Sequence, residues 1–200
     1  MARDGQGSGL WWLLGGAALL LWGSSASAAS APDATTPAAQ VVDPPATPPG
    51  RYFTWADMLR SGTAERNGLD NRATPSAYAN LRRLVQVVLD PAQARYRQGR
   101  IEVTNGHRSA AVNARTPGAA DNSGHMRGTD ADIVLRRADG TVLTSQEAAR
   151  VFLNLGVPFD TLIWYAPGDN HIHVAYRGGT GSRYIGFVAS RGADPVARMP

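Results

Sequence analysis

Ser123-Gly-His-Met-Arg-Gly-Thr-Asp-Ala-Asp132 sets a histidine and an aspartate seven positions apart across a glycine turn. A loop and the strand it feeds can in this way offer two ligands to one metal ion. Downstream, His171-Ile-His173 extends the pattern, because side chains on a strand alternate with period two and both imidazoles then point to the same face. His125, Asp132 and His173 form a three-ligand set. Two nitrogens and one carboxylate oxygen suit zinc (Zn2+), and three protein ligands leave the fourth position free for water, which marks a catalytic site rather than a closed structural one.

Composition narrows the alternatives. The 200 residues are the length of one ordinary domain with a tail. Cysteine is absent, which excludes disulfides, thiolate ligands and a cysteine nucleophile and leaves any metal to histidines and carboxylates. The formal net charge is +4, but all 20 basic residues are arginine and they are scattered along the chain rather than gathered in one stripe. Nucleic acid is therefore not read as a partner. A weak attraction to an acidic cell envelope is the more natural expectation.

Further motifs lie at matching intervals. They are Gly106-His-Arg-Ser109 followed by Asn113, the run from Asn122 to Ile133, "FDTLIWY" from Phe159 to Tyr165, and "HIHVAY" from His171 to Tyr176. In order and spacing this resembles the zinc D-Ala-D-Ala peptidases of the M15 type, within the larger group that includes lysostaphin-like peptidases and the hedgehog signalling domain. The resemblance runs from about Phe53 to Arg177. It implies a zinc peptidase that acts on peptidoglycan peptides, as a D,D-carboxypeptidase or an endopeptidase.

Read in order, the chain starts with a short polar segment, an apolar run from Leu10 to Trp22, and small residues ending at Ala26-Ser-Ala28. The run is shorter than the roughly 20 residues that span a bilayer and fits a secretory signal with cleavage near Ala28. The expectation is export to the periplasm or cell envelope, with no stable membrane insertion after cleavage; an uncleaved anchor is the rival. Residues 29–50, rich in Ala, Pro and Thr, read as a disordered linker. Residues 51–190 read as the peptidase domain and 191–200 as a loose tail. No oligomeric state is read from the sequence.

Within the domain, residues 54–60 suggest a short helix. Thr74-Pro75 opens a longer one, whose Tyr78, Leu81, Leu84, Val85, Val88 and Leu89 recur at three and four residue steps, and Asp90-Pro91 is expected to break it and to start another short helix that stops at Gly99. Strands are expected at 101–104, 131–135, 161–165 and 171–176, with 183–188 as an edge strand. Ser109 caps a helix through Arg115, residues 117–124 form a loop, and a helix runs from Ser145 to Leu155. The expected class is α+β, helices on one side of a small, mostly antiparallel sheet.

The resemblance also suggests roles. In relatives a Glu just before the last ligand typically serves as base, but Gly168-Asp-Asn-His-Ile-His173 holds none, and Tyr165 stands where an acidic residue often follows the Trp. The H-x-H pair resembles the lysostaphin-like and penicillin-insensitive endopeptidase branches, where the first histidine is catalytic. His171 is accordingly read as the base, with Asp169 as its rival. Arg108 matches an arginine that faces the substrate carbonyl in relatives, and a guanidinium there suits an oxyanion or a carboxylate. His107, where relatives carry Tyr or Phe, is read as site wall. Ser123 and Asp130 are placed in the pocket wall, the serine for substrate and the aspartate for substrate or for the second nitrogen of a ligand histidine. The alternative of a different class is a catalytically inactive, zinc-containing cell-wall-binding module of the same fold.

Overall fold

The computed structural model describes residues 40–179, 183–188 and 196–197. The expected secretory signal 1–28, and residues 29–39 of the expected linker, lie outside the described residues. The fold below belongs to the unit Ala38–Pro200.

Short helices precede the first strand, each started by a side-chain cap. α1 (Trp55–Met58) begins at Thr54, whose hydroxyl accepts the Asp57 N–H while the Asp57 carboxylate accepts the Thr54 N–H. Such a reciprocal cap is worth about 1 kcal/mol. α2 (Gly62–Asn67) is capped by Ser61. α3 (Pro75–Leu84) starts at Thr74 with proline in its first turn and buries Ala77, Tyr78, Leu81 and Leu84, the stripe that the sequence spacing predicts.

A short helix does start at Asp90-Pro91, ending at Arg95 rather than at Gly99, but no break precedes it, which corrects the expectation. A π-helical turn, Val85–Leu89, carries the chain directly into α4 (Asp90–Arg95). Pro91 then falls in a first turn, where its missing N–H costs least. The Asp90 carboxylate faces back and accepts the N–H groups of Arg51 and Tyr52 at 2.6 and 3.1 Å.

Residues 41–50 also depart from the expected disordered linker, because they lie against these helices. The Val42 N–H donates to the Ala73 carbonyl at 3.0 Å. The Thr47 carbonyl accepts from Trp55 Nε1 at 2.9 Å and from the Arg82 guanidinium at 3.1 Å. Pro49 is buried. Donors on distant helices, rather than any periodicity of its own, order this proline-rich stretch.

The strands are β1 (Gly99–Asn105), β2 (Asp130–Arg137), β3 (Thr161–Tyr165), β4 (Ile172–Ala175), β5 (Tyr184–Val188) and β6 (Val196–Ala197), and their order across the sheet is β1-β2-β4-β3-β5-β6. Every neighbouring pair is antiparallel except β3 and β5, which are parallel. The result is an α+β fold with a mostly antiparallel mixed sheet. β5 was expected at the edge, but β6 pairs with it through Gly186 and Phe187, so this part of the tail is not loose. The outer edge of β5 would otherwise leave unpaired N–H and C=O groups.

α5 (Ala110–Ala114) is capped by Ser109, and α7 (Ser145–Asn154) is capped by Thr144 and Glu147 and buries Ala148, Ala149 and Phe152. It packs on β2, β3 and β4. Ile133, Leu135, Leu162, Trp164, Ile172 and Val174 meet the helices in one core. Truncating Phe152, which is fully buried there, would cost about 3–5 kcal/mol. The alternate strand residues Asp132, Ile163 and His173 point to the opposite face, and this parity sets the side of the sheet on which the ligands stand. Among the described residues, no helix is long and apolar enough to cross a membrane.

Candidate metal centre

Pairing of β2 with β4 sets Asp132 directly opposite His173. The third ligand arrives on α6 (Gly124–Arg127), a single turn inside the stretch whose start was expected to be loop. Ser123 caps that turn by accepting the His125 N–H at 3.3 Å, and Gly128, at φ 72, ends it and lets the chain enter β2. The Ser123 hydroxyl therefore serves the placement of His125.

One ligand atom from each of His125, Asp132 and His173 lies within 4.8 Å of the other two. Asp132 Oδ1 is 3.5 Å from His125 Nε2 and 2.9 Å from His173 Nδ1. The remaining ring nitrogens have partners of their own. His125 Nδ1 meets the Gly106 carbonyl at 2.7 Å, and His173 Nε2 meets Asp130 Oδ2 at 3.2 Å. Outer partners of this kind fix ring orientation and raise ligand basicity. His125 is 2 % exposed, whereas the side chains of Asp132 and His173 are each 13 % exposed, so the cluster reaches solvent through the latter two.

The electrostatics agree with a cation site. Burial works against ionisation of Asp132, yet His125 and His173 hold its carboxyl well below the ordinary value. Burial also opposes charge on His173, but Asp130 and Asp132 outweigh it and raise the imidazole to about 9. A divalent cation at Nδ1 would take the place of that proton. In number, type and charge the donors fit a metal ion such as zinc.

Asp130 stands behind His173, 4 % exposed. Thr129 Oγ1 donates to it at 2.6 Å and the Arg177 guanidinium lies 3.4 Å from both of its oxygens. Its carboxylate is thus engaged by Thr129, by Arg177 and by the second nitrogen of His173. Gly124 makes room for it: a Cβ there would stand 2.1 Å from Asp130 Oδ1. Gly106 is equally constrained, since its Cβ would meet the Met58 carbonyl at 2.0 Å.

Arg108 donates its backbone N–H to the His125 carbonyl at 3.2 Å. Its guanidinium makes no ion pair among the described residues, and its buried Nε has no hydrogen-bond partner. Burial lowers its pKa, while Asp132 and Asp130 lie close enough to work in the other direction. The side chain is therefore held near the Asp132 and Asp130 carboxylates with donors to spare.

His107 is 3 % exposed and sits beneath the site, its Nδ1 3.0 Å from the His125 carbonyl. Burial lowers its pKa to about 4, so it is neutral at pH 7. Asn71 holds the adjacent backbone by donating to the carbonyls of Leu59 and His107 and accepting the Ser109 N–H.

His171 lies just before β4. Its Nδ1 is 3.9 Å from Asp169 Oδ1, and its ring is 4.4 Å from that of Tyr165. The main chain here is braced by Ser145, whose hydroxyl accepts the Tyr165 N–H at 2.8 Å and donates to the His171 carbonyl at 2.7 Å. Ser145 and Asn71 have no motif around them in the sequence; only the fold brings them to the site.

A family model described as Peptidase M15 matches residues 51–175, more than half of the chain. No curated protein and no solved structure matches it.

Proposed function

The chain belongs to the M15 peptidase family, and on that premise we propose an exported zinc metallopeptidase that hydrolyses peptide bonds in peptidoglycan stems or cross-links. The observation that carries the reading is the outer support of the ligands: Gly106 and Asp130 occupy one nitrogen of each histidine and leave His125 Nε2 and His173 Nδ1 turned to Asp132. Export is supported by the apolar run and the Ala26-Ser-Ala28 site, and a wall polymer outside the cytoplasm is a substrate in the matching compartment.

His125, Asp132 and His173 would hold the zinc, which would supply Lewis acidity toward a peptide carbonyl and water. The rest falls to the chain's own residues. His171, on the same strand parity as His173, accepts the proton of the attacking water and passes it to the leaving amine nitrogen. Arg108 donates its free N–H groups to the oxygen on which negative charge develops. Tyr165, whose pKa burial raises, remains a neutral phenol against the His171 ring.

A zinc-containing binding module without turnover is the second reading, favoured by the lack of a Glu between Gly168 and His173. Digestion of purified sacculi, followed by mass analysis, separates the two. Release of single alanines identifies a carboxypeptidase, and conversion of dimers to monomers identifies an endopeptidase. Sacculi that bind the zinc-loaded protein but release no fragment leave the binding module.

A further inference from the structure

Arg108 sits in residues 106–109, the loop between β1 and α5, and one distant side chain holds the main chain on both sides of it. Asn71 lies in the irregular segment between α2 and α3. Its Nδ2 donates to the His107 carbonyl at 2.8 Å, and its Oδ1 accepts the Ser109 N–H at 2.7 Å. The same Nδ2 also donates to the Leu59 carbonyl at 2.7 Å, which ties the loop to the end of α1. Both N–H donors of the amide and its oxygen are thus spent on backbone groups.

The start of the loop is held without Asn71. The Gly106 N–H donates to the Arg60 carbonyl at 3.0 Å and the His107 N–H to the Met58 carbonyl at 2.7 Å. These bonds fix the Gly106 carbonyl that faces His125 Nδ1. The two peptides that flank Arg108 are held differently. In the first, Asn71 takes the His107 carbonyl while the Arg108 N–H donates to the His125 carbonyl at 3.2 Å. In the second, Asn71 takes the Ser109 N–H. Because peptides are planar, pinning both leaves the backbone at Arg108 little freedom and sets the direction in which its side chain departs. The guanidinium adds no anchor of its own through Nε, which is buried without a hydrogen-bond partner.

We propose that Asn71 is the positioning residue of Arg108, a side-chain amide that clamps the peptides on either side and so aims the guanidinium at the substrate carbonyl oxygen. Displacing an oriented group by about 1 Å costs on the order of a hundredfold in rate. A residue whose own bonds all go to backbone can in this way govern turnover. The inference rests on the peptidase reading and adds to it a residue that acts through Arg108.

The test is a double-mutant cycle on the zinc-loaded protein with a peptidoglycan stem peptide: parent, Asn71→Ala, Arg108→Ala and the double variant. Asn71→Ala should keep its zinc and lower kcat about 30-fold, with KM within about threefold of the parent. In the Arg108→Ala background the same change should cost less than about twofold, because the group it positions is gone. The proposal is overturned by a kcat within about twofold of the parent, by equal losses in the two backgrounds, or by loss of zinc. Asn71→Ser takes the place of Asn71→Ala if alanine yields no folded protein.

A parent that hydrolyses no peptide removes the peptidase reading by itself. The placement of Arg108 is then read by nitrogen-15 NMR, as it is if the Arg108→Ala background is too slow to measure. The Arg108 Nε–H signal, identified by its absence from Arg108→Ala, should exchange with solvent at least about tenfold faster in Asn71→Ala, because Nε leaves its buried position. Equal exchange in the two proteins refutes the clamp.

Discussion

Asp130 meets Nε2 of His173 at 3.2 Å, across the ring from the nitrogen that faces Asp132. A carboxylate in that position holds the imidazole with Nδ1 free for a cation. Asp130→Ala should therefore weaken metal binding on the order of 10- to 100-fold in chelator competition, with His125, Asp132 and His173 intact. His125→Ala, Asp132→Ala and His173→Ala should each reduce bound zinc further, because each removes a ligand. Full stoichiometric zinc in any of the three would strike that residue from the ligand set.

Arg108 supplies the second expectation. Replacement by lysine keeps the charge but loses the planar fork. With zinc retained, kcat should fall on the order of a hundredfold, the scale of losing one oxyanion donor. Activity within about threefold of the parent would remove Arg108 from the catalytic residues.

The base is the third. His171→Ala should keep zinc and lose most turnover, whereas Asp169→Ala should retain kcat. The opposite pattern, an inactive Asp169 variant beside an active His171 variant, would assign the proton transfer to the hairpin carboxylate.

His107 gives a pH dependence. Its folded pKa, about 4, lies below the ordinary 6.5 because burial disfavours the imidazolium. The contribution to stability is complete above pH 6.5 and is lost as the pH falls towards 4, by roughly 3 kcal/mol at most. The metal-free parent should thus lose melting temperature more steeply between these values than His107→Phe measured under the same conditions. Parallel curves would show that His107 does not titrate on unfolding.

That His125, Asp132 and His173 come together was legible because strand parity and a glycine turn leave marks in the sequence, and the resemblance covered the same residues. The caps at Thr74 and Ser109 were legible for a similar reason: a capping side chain bonds to the backbone two or three residues on. What was not legible depends on long-range pairing. β5 lies parallel to β3 through a register that no local pattern specifies. The order in residues 41–50 comes from Trp55 and Arg82, and the brace on His171 comes from Ser145, 26 positions away. Pro91 misled because a π turn moves the place at which its missing N–H is tolerated.

The contact between Gly124 and Asp130 has a consequence for how this site can diverge. A Cβ at residue 124 would fall 2.1 Å from the Asp130 carboxylate, so alanine at 124 meets a steric bar unless that carboxylate leaves its place behind His173. Once a smaller residue stands at 130, the bar is lifted. The two positions are therefore epistatic: a side chain at 124 should weaken the metal site more while Asp130 is present, because it displaces the carboxylate behind His173, than after that carboxylate has been lost.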